Sequence, residues 1–159
     1  MKPTLRFLVS DPAHFIALGF GSGLMPKGPG TAGTLLGWLL FPFVHAPLSE
    51  PLFGGLLLAS FLFGTLACER TGRALGVADH GGIVWDEIVA IWLVLWLTPP
   101  TLAWQATAVV LFRFFDIVKP PPIRWVDERT RGGLGVMFDD LLAAGYTLLV
   151  LALLVRFAS

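Results

Sequence analysis

Four stretches of this chain carry no charged side chain: residues 31–49, 51–67, 88–112 and 141–155. About 20 apolar residues at 1.5 Å each span a bilayer core, so such runs steer the chain toward apolar helices. Pro99-Pro100 falls near the middle of the third run. Two prolines do not fit inside an ordinary helix, so that run is predicted to turn there and form two helices, 86–97 and 101–118. The pattern predicts five apolar helices plus an amphipathic N-terminal segment, in one domain covering residues 1–159. Pro42 is expected to interrupt the first run. The 86–97 helix would be about 18 Å long against a core of about 30 Å, so some helices are expected to dip into a membrane rather than cross it. The expected fold class is all-α: a compact bundle of short apolar helices, membrane-embedded, with Gly-rich and acidic loops gathered at one face. A greasy soluble bundle is the alternative.

Charge supports that direction. Charged residues make up 14% of the chain and hydrophobic ones 55%, where soluble domains average about 25% and about 45–50%. Disorder and nucleic-acid binding are therefore excluded as expectations. The 11 basic and 11 acidic residues cancel, so no bulk field steers a polyanion. The single cysteine, Cys68, rules out an intramolecular disulfide and a cysteine-rich metal site. Residues 1–20 contain Asp11 and Pro12 and lack a clean apolar run, so they do not read as a signal peptide.

The connections sort by charge. Links 46–50 and 97–103 contain no Lys or Arg, and every basic residue except Arg156 falls in 1–27, 70–73 or 113–131. The positive-inside rule places these alternate connections together on the cytoplasmic side.

Four segments there could carry chemistry. Gly19 to Gly33 is glycine-rich and precedes an apolar helix, where backbone N–H groups can face an anion. Lys27, Gly30 and Thr31 make it a candidate phosphate loop, although its spacing is not that of a nucleotide P-loop. A tight turn capped by Thr31 is the plain alternative. Asp86-Glu87 and Asp139-Asp140 are expected at the mouths of two apolar helices. Arg113, Asp116 and Lys119 follow at three-residue spacing, so neighbours in that series share a helix side. One acidic pair could be explained as a favourable helix N-terminus. Two pairs plus Asp116 at one face would repel unless a cation joined them, and oxygen-only ligation suits Mg²⁺. Arg113, Lys119, Arg124 and Lys27 could then hold a phosphate beside the metal, while Arg124 could equally face anionic headgroups. His80 reads either as a proton donor or as a turn residue hydrogen-bonded in its loop.

The segments GFGSGLMPKGPGTAGT, DHGGIVWDE, FRFFDIVKPPPI and GGLGVMFDDLLAAG together resemble the phosphatidylglycerophosphatase A family. The resemblance implies an all-helical, Mg²⁺-dependent enzyme of the bacterial inner membrane. It would hydrolyse the terminal phosphate of phosphatidylglycerophosphate, giving phosphatidylglycerol and phosphate. It would take a phospholipid substrate in the bilayer. By motif, Asp86 and Glu87 match one acidic pair, Asp139 and Asp140 the second, and Asp116 and Lys119 the F-D-x-x-K-P element. These residues are the expected metal ligands and catalytic groups. Ala90 and Ala144 stand where the family frequently has glycine, and Thr34 where it has serine. The alternatives are a phosphatase for another lipid or a soluble phosphomonoester, or a small non-catalytic transport or assembly subunit.

Overall fold

The computed structural model describes residues 1–159. It contains eight α-helices and one 3₁₀ segment, and no strand. In chain order these are α1 (Leu5–Val9), α2 (Pro12–Ala17), the 3₁₀ segment Gly19–Leu24, α3 (Pro29–His45), α4 (Glu50–Leu75), α5 (Trp85–Trp96), α6 (Leu102–Val118), α7 (Ile123–Arg129) and α8 (Gly132–Ala158). The Pro99-Pro100 break falls between α5 and α6 as expected.

Helix α5 is the hub. Ten of its twelve residues are buried, and it packs against α3, α4, α6 and α8. A helix apolar on every side must be enclosed, and beyond Asp86 and Glu87 in its first turn WDEIVAIWLVLW has no polar residue to offer water. Its neighbours approach closely because they present glycines. Gly33 and Gly37 of α3 press on Val84, Ile88 and Ile91, where any Cβ would come within 2.7 Å of a side chain. Gly64 of α4 receives the Trp85 ring. The indole N–H groups that this packing buries find acceptors: Trp85 donates to Ser60 O at 3.0 Å and Trp92 to Gly37 O at 2.8 Å. Ala90 and Ala144 are both buried in the core.

Two expectations change. Pro42 lies inside α3 and does not interrupt it. It forfeits the hydrogen bond to Trp38 O and crowds that carbonyl, yet the helix continues to His45. Helices α4 and α8 also run well past their uncharged cores, to 26 and 27 residues. At 1.5 Å per residue each is about 40 Å long. Both are long and apolar enough to cross a membrane. Their outward faces carry Leu58, Leu62, Phe63 and Leu66 on α4 and Leu149, Leu153 and Phe157 on α8, all exposed.

The N-terminal segment is fastened to the end of α4. Buried His14 shares a 2.9 Å hydrogen bond with Thr71, and Arg70 pairs with Asp11 at 2.5 Å.

Candidate active site

Three helices bring carboxylates together. Asp86 and Glu87 occupy the first turn of α5. Asp139 and Asp140 are not at the mouth of the last helix, as expected from the sequence, but about two turns inside α8. The Gly132–Gly135 run reads as a loop yet forms the opening turns of that helix. Gly133 permits this because its N–H is capped by Glu69 Oε2 of α4 at 2.6 Å. Asp116 comes from the last turns of α6 and lies against Asp140.

Asp86, Glu87 and Asp140 are buried and place a carboxylate oxygen each within 4.8 Å of one another. Asp86 Oδ1, Glu87 Oε2, Asp139 Oδ1 and Asp140 Oδ2 have neither solvent nor a hydrogen-bond donor. Burying carboxylates costs several kcal/mol per ion unless a counter-charge compensates. An all-oxygen, multi-carboxylate donor set fits a hard divalent cation.

Cations line one side. Arg113 pairs with Asp116, places Nη1 3.7 Å from Glu87 Oε1, and keeps a buried Nε with no acceptor. Lys119 caps α6 in the left-handed conformation, φ 49°. Its ammonium donates to Asp139 Oδ2 at 2.9 Å and lies 3.3 Å from Asp127 Oδ1. Burial alone would push the ammonium toward its neutral form. The hydrogen bonds and charges of Asp139 and Asp127 outweigh that and hold it above the ordinary lysine range. Lys119 therefore stays charged.

The glycine-rich loop reaches the site at one residue. Gly30, in the first turn of α3, is buried against Glu87 and Arg113. A Cβ there would stand 2.7 Å from Glu87 Oε1 and 3.2 Å from Arg113 Nη2. Gly30→Ala is accordingly expected to lower turnover about 10- to 100-fold through misplacement of these two side chains, with little loss of helicity. Steady-state kinetics with a circular dichroism control check this. Gly28, at φ 60°, is the N-cap of α3, so Thr31 does not cap the turn. Lys27, Thr31 and Arg124 are exposed, and neither Lys27 nor Arg124 makes an ion pair.

His80 has both ring nitrogens engaged. Gly82 N–H donates to Nδ1 at 3.0 Å, so Nε2 carries the proton and donates to Met1 O at 2.9 Å. It ties the N-terminus to its own loop. Sequence reasoning missed three acids here. Asp127, on α7, pairs with Lys119. Asp79 acts by charge on Lys119, Asp116 and Asp139. Glu69 caps α8 from a helix 64 residues away. Only Asp79 had a visible signal, its place in the DHGG segment.

Comparisons with known proteins identify the family. The family model described as phosphatidylglycerophosphatase A matches residues 15–155. A Haemophilus influenzae phosphatidylglycerophosphatase A is 44% identical, over 94% of this chain and 92% of its own. The Escherichia coli protein of that name is 42% identical, over 87% and 80%. A Bacteroides thetaiotaomicron relative, provisionally named a phosphatidylinositol-3-phosphatase, is 37% identical over 86% and 89%. No solved structure gives a significant match. With a family model spanning nearly all of its helices and two such relatives, the chain belongs to the phosphatidylglycerophosphatase A family.

Proposed function

We propose that this protein is a membrane-embedded lipid phosphatase. It hydrolyses phosphatidylglycerophosphate to phosphatidylglycerol and phosphate at a Mg²⁺ centre facing the cytoplasm. The observation that carries the reading is the trio Asp86, Glu87 and Asp140, buried with unpartnered oxygens beside Arg113. Family membership supports the reaction, and the outward apolar faces of α4 and α8 support the bilayer setting. The basic residues of 1–27, 70–73 and 113–131 support a cytoplasmic site in the inner membrane.

Asp86, Glu87 and Asp140 would hold the metal, with Asp116 and Asp139 beside them. When bound, Mg²⁺ supplies positive charge for the phosphate oxygens and the transition state. The chain does the rest. Arg113 Nε and the Lys119 ammonium hold phosphate oxygens and fix the phosphorus for in-line displacement. Asp139, steadied through Oδ2 by Lys119, keeps Oδ1 free to orient water and accept its proton. The water oxygen bonds to phosphorus as the P–O bond to glycerol breaks. The leaving alkoxide then takes up the proton that Asp139 accepted, so the products are the lipid alcohol and hydrogen phosphate and Asp139 returns to its starting form. The rival route, an aspartyl phosphate, is tested by quenched turnover with labelled substrate, where label on an Asp side chain would sink direct water attack.

Phosphate release by detergent-purified protein checks the reaction. Release from phosphatidylglycerophosphate is expected with Mg²⁺ and is expected to fall to background with EDTA. Release from phosphatidylinositol 3-phosphate but not from phosphatidylglycerophosphate would move the protein to the chemistry named for its Bacteroides relative.

A further inference from the structure

The turn between α6 and α7 carries Lys119 and then three prolines. None of Pro120, Pro121 and Pro122 has an N–H to donate, so hydrogen bonds can hold that proline run only through its carbonyls. Two of these are satisfied locally. Ile123 N–H donates to Pro120 O at 2.8 Å and Val126 N–H to Pro122 O at 3.0 Å. The third is met from another helix: Tyr146 of α8 donates its hydroxyl to Pro121 O at 2.6 Å.

Tyr146 stands seven residues beyond Asp139. That spacing falls about 20° short of two full turns, so both lie on one face of α8, about 10 Å apart along its axis. Lys119 and Pro121 are two residues apart and meet these two in the same order. The Lys119 ammonium donates to Asp139 Oδ2 at 2.9 Å, and the Pro121 carbonyl accepts from Tyr146. The turn is therefore clamped to α8 at two points. Lys119 itself has left-handed backbone, φ 49°, which a residue with a side chain keeps only where its surroundings over-determine it. Asp139 and Asp127 hold its side chain, and Tyr146 holds the chain just beyond it. We propose that Tyr146 is a positioning residue: by pinning this turn to α8, its hydroxyl keeps the Lys119 ammonium on Asp139 and on the substrate phosphate. The effect on turnover rests on the lipid-phosphatase reading above, whereas the hold on Lys119 does not.

Tyr146→Phe removes the hydroxyl and keeps the ring, whose centroid lies 5.5 Å from that of Phe115. Lys119 is half-buried, while the chain's other lysines, Lys2 and Lys27, are exposed. Trace acetylation with acetic anhydride, read by peptide mass spectrometry, gives the Lys119 to Lys27 labelling ratio. That ratio is expected to rise in Tyr146→Phe, and kcat on phosphatidylglycerophosphate is expected to fall about tenfold. Gln105→Leu is the control. It removes the 3.0 Å hydrogen bond from Trp38 to α6, about 21 Å along that helix from Lys119, and is expected to move neither readout. An unchanged labelling ratio in Tyr146→Phe, or an equal rise in Gln105→Leu, overturns the proposal, as does an unchanged kcat in Tyr146→Phe. Wild-type protein that releases no phosphate fails the phosphatase reading instead, and the labelling ratio still decides whether Tyr146 holds Lys119.

Discussion

Replacing Asp140 by Asn is expected to cut turnover about 10²- to 10³-fold while making the cation-free protein more stable. The two effects share one cause. Asp86, Glu87 and Asp140 bring carboxylate oxygens within 4.8 Å of one another in a buried setting, where like charges repel far more strongly than in water. Asn keeps the shape of Asp and removes a charge. Without cation the repulsion falls, and a gain of about 1 kcal/mol would raise Tm by roughly 3 °C for a chain of this size. With cation the same change removes a ligand, so binding and rate fall together. Asp86→Asn is expected to behave alike. Melting curves in EDTA and in Mg²⁺, set beside kcat, read both effects. The wild type should gain stability on adding Mg²⁺ and the variants should gain much less. Near-normal turnover of Asp140→Asn at saturating Mg²⁺ would remove Asp140 from the ligand set.

Gly133→Ala should be among the most damaging single changes outside the acids. A Cβ there would sit 2.0 Å from Thr65 O and 2.8 Å from Glu69 N, both backbone atoms of α4. Neither can rotate away, so the helices must separate. Overpacking typically costs about 1–3 kcal/mol, and a backbone clash belongs at the upper end or beyond. The same movement breaks the Glu69 cap and carries Asp139 and Asp140 with α8. Turnover should therefore fall more than the folded fraction does. Gly145→Ala is the internal control. It lies on the same helix with nothing within 4 Å of the added carbon, and ordinary helix propensity predicts a gain of about 0.5–1 kcal/mol. Chemical denaturation of both variants checks the contrast, and equal stability of the two would refute the close crossing of α4 and α8.

The parts of the fold that were legible from sequence are those governed by local rules. Residues 86–97 and 101–118 differ from α5 and α6 by one residue at each end at most. Pro99-Pro100 breaks any helix, and the Lys119-Pro120 step disfavours its continuation. Helices α4 and α8 were harder. Absence of charge marks their lipid-like middles, but their ends are charged or glycine-rich and become helical through tertiary contacts, such as the Glu69 cap on Gly133. The same limit hid the depth of Asp139-Asp140 within α8. Counting acids at one face pointed to a cluster. It did not show that Asp86, Glu87 and Asp140 form the compact set while Asp139 turns to Lys119. That division depends on the relative rotation of α5, α6 and α8, which no local pattern encodes. Pro42 shows the converse error, since one proline weakens a helix locally without ending it when the helix is held on either side.

The enclosure of α5 also dictates an order of events during synthesis. Glu87 leaves the ribosome 53 residues ahead of Asp140. At that moment α5 is about 18 Å long, bears two carboxylates, and lacks the helix that will cover it. Neither its length nor its charge suits independent residence in a bilayer. Its faces toward α3 and α4 find partners already made, whereas the carboxylate trio can close only once α8 supplies Asp140. A nascent chain truncated before α8 should hold no functional centre, and the final helix acts as the latch on a reaction chamber whose floor was translated long before.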